Sequence, residues 1–281
     1  MEFARIQSEA ELQARLAAEP CCLAAGMTDL YPSGTLQSLT LPLLDISAVP
    51  SLRGILEEEH VWRLGATTRW AEIAHFDWPD GLCMLSEAAA QVGAVQVQNA
   101  ATLAGNLCNA SPAADGVPVL LALDASIDLA SLNTSRQVPV GEFITGVRQT
   151  ALARAEYLRA VSIPKPPDHA VSVFLKLGGR AYLVISIAMV AGSLSVDDQG
   201  RVSRVGLALG ACTPVATRLS AVEAAIMGQP VNPALVDRVQ QCDVQHAVRP
   251  IDDVRASADY RAKAAFQLVR DAVSLLVERA T

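Results

Sequence analysis

The spacing of hydrophobic and polar positions near the N-terminus predicts helices and strands in alternation. Ser8 and Glu11 have the spacing of a capping box at the start of a helix. Leu12 and Leu16 then fall on one helical face, so residues 8–19 are predicted to form a helix that ends at a proline. Short apolar runs bounded by turn-forming residues predict strands at 21–25, 42–46, 52–56 and 61–64.

The middle of the chain, residues 93–124, is rich in turn-forming residues that separate short apolar runs. This pattern predicts a binding loop followed by a short helix at 119–123, which the carboxylate of Asp115 is expected to cap. Alternating runs further along the chain predict strands at 126–130, 137–140 and 157–163. The chain therefore mixes helices and strands throughout and is predicted to have an α+β fold.

A cluster of three prolines at positions 164, 166 and 167 interrupts any regular element. It predicts a domain boundary near residues 164–172. We expect an N-terminal domain over residues 1–168, with subdomains of about 1–55 and 56–168, and a C-terminal domain over residues 169–281.

The C-terminal domain is predicted to be an antiparallel sheet covered by helices. Strands are expected at 171–177, 183–196 and 202–209, with a hairpin turn at residues 197–200. Ser257 can cap a long C-terminal helix. The apolar positions of this helix fall on one face, which is expected to cover the sheet: Ala265, Leu268, Val269, Ala272 and Leu276.

The composition describes a folded protein without a membrane span. The 281 residues are 51% apolar, which is enough to fill a core. The longest nearly continuous apolar run, residues 181–194, is about 14 residues long, and a bilayer-spanning helix needs roughly 20. The N-terminal residues lack the basic and then apolar order of a secretory signal, so we expect a cytoplasmic protein.

Charge and cysteine usage exclude two further classes. A formal net charge of −7 and the absence of a basic stripe argue against nucleic-acid binding. The six cysteines have no C-x-x-C spacing and are predicted to be reduced thiols, not iron–sulfur ligands. The four histidines are scattered, and none is assigned a catalytic role or a metal.

Two loops, around Gly26 and around Gly105, place a glycine and small polar residues directly after an apolar run. Consecutive backbone N–H groups in such a turn can form a concave site for phosphate. In an acidic protein these donors and the hydroxyls of Thr28 and Thr102 would hold an anionic cofactor, while Asp29 points away from it. From the spacing alone, a tight connection is the better explanation of each loop.

Four stretches of the chain resemble the flavoprotein family of the molybdenum hydroxylases. Residues 102–115, T-L-A-G-N-L-C-N-A-S-P-A-A-D, are similar to the family segment T-I-G-G-N-L-C-N-A-S-P-A-A-D. Residues 25–30, A-G-M-T-D-L, resemble its A-G-G-T-D-L loop. Residues 174–186 resemble its F-x-K…R…D-I-S stretch and residues 210–215 its G-x-x-x-P-x, so the similarity extends over nearly the whole chain.

This resemblance implies an α+β FAD-binding fold in two subdomains, of the vanillyl-alcohol-oxidase (PCMH-like) type, plus a small C-terminal sheet-and-helix domain. It implies that two groups of residues hold the FAD diphosphate: Ala25, Gly26, Met27, Thr28, Asp29 and Leu30, and Thr102, Ala104, Gly105 and Asn106. It also implies that five residues contact or lie beside the flavin: Ser111, Asp115, Tyr157, Leu158 and Lys176. An ammonium at Lys176 would stabilise the negative charge of the reduced flavin.

The chain departs from the family pattern at several positions. Met27 replaces a glycine and is expected to need either a negative φ or an outward side chain. Ala104 replaces the first glycine of the second loop, Gln98 stands where arginine is common, and Val184 replaces an aspartate. None of these changes removes a backbone donor, so we expect FAD to bind.

The resemblance implies an electron-transfer subunit that carries FAD. Its expected partners are a large subunit with a molybdenum cofactor and a small subunit with [2Fe-2S] clusters, in a heterotrimer that is often doubled. Two alternatives stay open, a self-contained flavin oxidase or dehydrogenase and an assembly subunit that has lost FAD. The sequence does not indicate the hydroxylated substrate or whether NAD, a quinone, a cytochrome or oxygen accepts the electrons.

Overall fold

The computed structural model describes residues 2–30, 32 and 40–281. The chain begins with a parallel sheet in the order β1-β3-β2. A helix connects its outer strands, and these elements are β1 (Phe3–Arg5), α1 (Glu9–Ala18), β2 (Cys22–Ala24) and β3 (Leu43–Asp45). The predicted capping is confirmed, because Ser8 Oγ accepts a hydrogen bond from the amide of Glu11 at 3.2 Å and Leu12 is fully buried.

The second sheet is antiparallel and has the order β4-β5-β10-β6-β7. Its strands are β4 (Ile55–Glu57), β5 (Val61–Gly65), β6 (Ser126–Ala130), β7 (Ser135–Pro139) and β10 (Tyr157–Pro164). On the central strand, Val161 pairs with Leu64 on one side and Ile127 on the other, and all three are fully buried. These cross-strand neighbours belong to the first hydrophobic core of the chain.

Six short helices and a small hairpin connect the strands of this sheet. They are α2 (Trp70–Ala74), α3 (Met84–Ala89), α4 (Val95–Gln98), α5 (Leu103–Asn109), α6 (Gly116–Ala122) and α7 (Val140–Phe143), with the hairpin strands β8 (Ile144–Gly146) and β9 (Gln149–Thr150). Two single 3₁₀ turns accompany them, Pro50–Leu52 and Asp80–Leu82. The helix α6 is buried along its whole length. It belongs to the first core and packs against the sheet that follows.

The third sheet is an antiparallel meander in the order β11-β12-β13-β14. Its strands are β11 (Val171–Leu177), β12 (Ala188–Val196), β13 (Val202–Gly210) and β14 (Thr217–Arg218). Helices α8 (Ser220–Ile226), α9 (Gln241–Ala247) and α10 (Ala258–Ala280) and a 3₁₀ turn (Pro233–Arg238) follow. The predicted cap of α10 is confirmed, because Ser257 Oγ accepts from the amide of Tyr260 at 3.2 Å.

Both faces of the third sheet are covered. Phe174, Ala191 and Ala208 are cross-strand neighbours that belong to the first core, which includes α6. The opposite face packs against α10 in a second core. Gly206 allows the sheet to approach α6 closely, because a Cβ at this position would stand 2.1 Å from the carbonyl oxygen of Ala122.

This architecture confirms the predicted α+β class, in which two sheets and their connecting helices are followed by a third sheet covered by helices. Its predicted domain and subdomain limits stay predictions. None of the helices in the described part of the chain has the length and apolar character needed to cross a membrane.

Three predictions about individual elements are wrong. Leu52 lies in a 3₁₀ turn that begins at Pro50, not in a strand. Residues 183–187 precede β12, because Leu183 has a φ of 54° and its carbonyl accepts hydrogen bonds from Arg180. Asp115 directly precedes α6, but its side chain makes no capping hydrogen bond.

Candidate functional site

The structure brings the two predicted glycine loops together in one cavity. The first loop, residues 25–30, follows β2 and lies against the backbone that leads into α5. Gly26 makes this contact possible, because a Cβ there would stand 2.1 Å from the carbonyl oxygen of Ala100 and 2.8 Å from the Cα of Ala101. No side chain fits in that space, so the glycine is required for close approach of the backbones.

The conformation of Met27 differs from both expected alternatives, since its φ is 56°. A non-glycine residue in this region costs about 1–2 kcal/mol. The half-buried side chain of Met27 lines the cavity. Among the described residues, no acceptor is hydrogen-bonded to the amides of residues 25–29. Within the described residues the amides of the first loop are thus without acceptors, in a conformation that carries backbone strain at Met27.

The second loop does not offer free amides at the start of α5. Leu103 and Ala104 donate to the carbonyl oxygens of Thr68 and Ala66 at 3.0 and 3.1 Å. Gly105 donates to Thr102 Oγ1 at 3.2 Å, and Asn106 donates to the carbonyl oxygen of Thr102 at 3.1 Å. The predicted nest at this loop is corrected, because local capping and the neighbouring segment 66–68 already use all four donors.

These two loops form the walls of a cavity of about 580 Å³, which we call the loop cavity. It is lined by residues 23–30 and by Trp70, Val92, Val97, Ala101, Thr102, Gly105, Asn106, Cys108, Asn109 and Arg148. Within the described residues, Trp70 Nε1 and Asn106 Oδ1 are buried atoms without a hydrogen-bond partner. Unpartnered polar atoms are rare in folded proteins and are typical of a site that a ligand or water completes.

A second cavity of about 680 Å³, the central cavity, continues from the first. Both are lined by Asp29, Val92, Asn106, Asn109 and Arg148. The central cavity extends between the segment 111–115, the end of β11, and the segments 183–186, 211–214 and 249–261. Each cavity has the size of typical cofactor sites, and together they form a long crevice.

Arg148 is a functional candidate that sequence reasoning missed. It lies in the turn of the β8–β9 hairpin with a φ of 60°, and its amide donates to the carbonyl oxygen of Ala110 at 2.9 Å. Its guanidinium donates to both the carbonyl oxygen and the side-chain oxygen of Asn109. This positive charge lies where the two cavities meet, although nothing in the local sequence distinguishes it from other exposed arginines.

Lys176, Asp115 and Ser186 form a buried group on the wall of the central cavity. Lys176 Nζ donates to Asp115 Oδ2 at 2.7 Å and to the carbonyl oxygen of Gln91 at 3.0 Å. Ser186 Oγ donates to the second carboxylate oxygen at 2.7 Å. Burial raises the pKa of Asp115, while the Lys176 ammonium opposes that shift. Because the carboxylate balances its charge, Lys176 offers a flavin less positive charge than the sequence suggested.

The structure does not bring every predicted residue to the crevice. Ala104 is buried in the helix and lines neither cavity. Tyr157 and Leu158 are also buried away from both cavities, within β10. The Tyr157 hydroxyl donates to Glu9 Oε1 at 2.7 Å and accepts from Gln13 Nε2 at 3.1 Å. Burial and the Glu9 carboxylate raise the pKa of Tyr157 to about 12.

The remaining predicted residues do line the crevice. Ala25, Gly26, Met27, Thr28, Leu30, Thr102 and Gly105 lie around the loop cavity, Ser111, Asp115 and Lys176 around the central cavity, and Asp29 and Asn106 around both. The free amides, the Gly26 contact and the unpartnered Asn106 oxygen fit an FAD in this crevice.

Comparisons with known proteins agree with this geometry. The family model described as "FAD binding domain in molybdopterin dehydrogenase" matches residues 1–166, and "CO dehydrogenase flavoprotein C-terminal domain" matches residues 174–276. The chain is 34% identical over 162 residues to the nicotinate dehydrogenase FAD-subunit of Eubacterium barkeri, which covers 56% of this chain and 55% of that protein. It is 30% identical over 222 residues to the xanthine dehydrogenase FAD-binding subunit of Escherichia coli O157:H7, covering 78% and 75%.

Among solved structures, the carbon monoxide dehydrogenase of Hydrogenophaga pseudoflava contains a chain that is similar over almost its full length. The TM-score is 0.91 at 28% identity, with 99% of this chain and 98% of that chain covered. The match includes both the crevice-forming N-terminal part and the third sheet. The chain therefore belongs to the family of FAD-binding flavoprotein subunits of molybdenum hydroxylases, which are oxidoreductases.

Proposed function

We propose that this chain holds FAD along the crevice and transfers electrons from [2Fe-2S] clusters on a partner subunit to an external acceptor. The observation that carries the proposal is the first loop, where amides that bond no described acceptor surround a glycine that permits backbone contact with Ala100. FAD is a carrier of two electrons and, when bound, supplies the redox chemistry. The protein supplies binding, orientation and the exclusion of water.

The diphosphate is assigned to the loop cavity. The amides of residues 26–29 and the Thr28 hydroxyl are donors there, and Arg148 adds one positive charge. Asn106 Oδ1 is an unpartnered acceptor at the junction of the cavities, where it can take a hydrogen bond from a ribityl or ribose hydroxyl. Neutral donors and a charged guanidinium together bind an anion more strongly than backbone amides alone.

The flavin ring is assigned to the central cavity. Lys176, held by Asp115 and the carbonyl oxygen of Gln91, has one N–H left that no described acceptor uses. Ser186 keeps the carboxylate in place, so this donor has a fixed position. The group therefore orients a flavin through a hydrogen bond more than through net charge.

The partners proposed for this chain are a large subunit with a molybdenum cofactor and a small subunit with [2Fe-2S] clusters, assembled as a dimer of heterotrimers in the cytoplasm. The relatives support this proposal, because their names describe them as subunits of dehydrogenases. The chain itself has no spacing of cysteines that would hold a cluster, and its cysteines are free. Under this proposal, electrons reach the FAD from a cluster on another polypeptide.

The test begins with the absorption spectrum of the purified chain, with wild type beside Gly26→Ala and Gly179→Ala. The wild type is expected to bind one FAD per chain, and Gly26→Ala to lose it because the new Cβ collides with Ala100. Gly179→Ala is the matched control, since nothing lies within 4 Å of a Cβ there. A colourless wild-type chain after FAD is added, or Gly26→Ala with unchanged FAD content, would contradict the assignment.

The second part tests electron transfer. The complex purified with its partner subunits should show FAD reduction after its organic substrate is added, whereas the isolated FAD-loaded chain should not. Reduction of the isolated chain by the substrate would favour the self-contained oxidase or dehydrogenase. A complex that functions fully with a chain devoid of FAD would favour the assembly subunit.

A further inference from the structure

One wall of the central cavity is basic, although the chain as a whole is acidic. Five basic and three acidic side chains line this cavity. The whole chain has 22 basic and 29 acidic residues, with a formal net charge of −7. The cavity thus carries an excess of positive charge inside a negative protein. A concave site with this charge concentrates anions locally, against the field of the remaining surface.

Three of the basic residues come from the segment 249–261 that leads into α10, and two of them share one carboxylate. Asp253 accepts hydrogen bonds from Arg261 Nη2 at 2.6 Å and from Arg255 Nη1 at 2.7 Å. Hydrogen bonds from the amides of Arg255 and Ala256 and from the Arg261 guanidinium hold the pKa of Asp253 down to about 2. The Asp253 carboxylate is therefore ionised at neutral pH. It balances one of the two positive charges of Arg255 and Arg261, and the other remains unbalanced.

Arg249 and Arg261 have hydrogen-bonding capacity left. Arg249 Nη1 donates to the carbonyl oxygens of His246 and Val248 at 3.0 and 2.7 Å, and no described acidic residue pairs with it. Arg261 is 2% exposed, and its Nε has no hydrogen-bond partner within the described residues. A guanidinium N–H left unpartnered in a protein interior is typical of a site that an ion or water completes.

These arginines are separate from the residues assigned to the FAD diphosphate. Arg249 and Arg255 line only the central cavity, whereas the amides of the first loop lie at the loop cavity. The crevice therefore has donors for an anion at both ends. One FAD has a single diphosphate, which leaves the second set for another molecule.

We infer that Arg249 and Arg255 bind a negatively charged group of the small-molecule electron acceptor, while Asp253, itself held by Arg261, fixes the position of Arg255. This inference rests on the proposed function, because it takes the flavin to lie in the same cavity. The acceptor class is then an anionic small oxidant. Neutral quinones and cationic proteins would gain nothing from the arginines.

The test measures how salt changes the oxidation of the reduced, FAD-loaded chain by two small complexes of opposite charge. Two hexacyanoferrate(III) ions each accept one electron, so one anionic flavin hydroquinone is oxidised and its N5 proton passes to solvent. Hexaammineruthenium(III) takes the same two electrons in the same stoichiometry but is cationic. Stopped-flow absorbance under anaerobic conditions gives both rates.

The rate with hexacyanoferrate(III) is expected to fall roughly tenfold as ionic strength rises from about 0.01 M to about 0.1 M. The rate with hexaammineruthenium(III) should rise over the same range. Arg249→Gln combined with Arg255→Gln should lower the low-salt hexacyanoferrate(III) rate by roughly fivefold. Arg238→Gln, which removes an exposed arginine outside the cavity, should leave that rate unchanged.

A hexacyanoferrate(III) rate that increases with salt, as the net charge of −7 alone requires, would overturn the inference and leave FAD binding intact. Equal rates for the double variant and Arg238→Gln would overturn it as well. The visible spectrum of each variant reports its FAD content, so lost cofactor is not mistaken for lost charge. A wild-type chain that takes up no FAD would overturn the proposed function, and this inference with it.

Discussion

Arg148 combines a strained backbone with a positive charge at the junction of the two cavities. Its φ of 60° places it in the left-handed region, where an ordinary residue costs about 1–2 kcal/mol. The hydrogen bonds from its guanidinium to Asn109 fix the side chain against the cavity wall. Strain of this kind, kept at a cavity, is typical of residues whose position serves a ligand.

Arg148→Ala is therefore expected to weaken FAD binding about tenfold, which corresponds to about 1.4 kcal/mol for one charge-assisted contact. Titration of the FAD-free chain with FAD, followed by flavin fluorescence, measures the change. Arg154→Ala removes an exposed arginine that lines neither cavity and serves as the control. If both variants bind FAD equally well, Arg148 does not contact the diphosphate.

Tyr157 gives a prediction at alkaline pH. Its pKa is raised to about 12 from 10, so its neutral form is favoured in the folded state. The resulting contribution to stability is complete below pH 10 and is lost as the pH rises through about 12. The absorbance of phenolate should show a late phase in this window that Tyr157→Phe removes. A variant whose titration curve keeps that phase would show that the Glu9 contact does not exist in solution.

At single positions, the sequence identified residues that a local pattern marks and missed those that only distant contacts define. Gly26 was predicted because a glycine after a strand is a local signal. Arg148 was missed because Asn109, its partner, lies 39 residues away. Tyr157 was assigned by resemblance to the flavin ring, but the structure buries it against Glu9, 148 residues away.

At the scale of elements, the two glycine loops show why similar patterns differ in function. Both place a glycine after an apolar run, and both were predicted to offer amides. In the second, the carbonyl oxygens of Ala66 and Thr68 take the first amides of α5, and Thr102 takes the next. Ala66 and Thr68 lie more than one element before α5 in the chain, so the spacing around each glycine does not distinguish the two loops.

The helix caps at Ser8 and Ser257 are predicted correctly because they depend on neighbours within one turn, whereas the cap predicted at Asp115 is not formed. Ser257→Ala removes the hydroxyl that accepts from the amide of Tyr260 and is expected to lower the free energy of unfolding by about 1 kcal/mol. Ser274→Ala, at an exposed position of the same helix, should change it little. Urea denaturation of both variants makes the comparison. Equal midpoints would mean that the start of α10 does not need its cap.

The incorrect strand at residues 183–187 has the opposite cause. Its apolar sequence suits a strand, but the guanidinium of Arg180 donates to the carbonyl oxygens of Tyr182 and Leu183 and closes a compact loop. Tyr182 and Leu183 are 81% and 56% exposed, so the start of this apolar run does not pack in a core. A hydrophobic pattern does not indicate that a side chain, here that of Arg180, hydrogen-bonds the carbonyl oxygens that a neighbouring strand would otherwise pair with.

At the scale of the whole molecule, the third sheet connects the two cores, and Gly206 is the point of closest contact. Gly206→Ala would place a methyl group 2.1 Å from the carbonyl oxygen of Ala122, so α6 and β13 must separate. Because both cores contact this sheet, we expect a loss of about 2–4 kcal/mol, at the upper end of the usual range for one substitution. Thermal unfolding measures it, with Gly179→Ala as the control, and an unchanged midpoint would show that the sheet does not need this approach.

Since α6 covers the inner face of the third sheet and α10 its outer face, the chain is not two interchangeable modules joined by the prolines. A fragment that ended at those prolines would lack the strands that cover the buried surface of α6, and with them the core residues Phe174 and Ala191. Evolution could not exchange the C-terminal part for an unrelated one without also rebuilding that helix. Recombination among relatives is thus expected to inherit α6 and the third sheet as one unit, even though 48 residues separate the end of that helix from the first strand of the sheet.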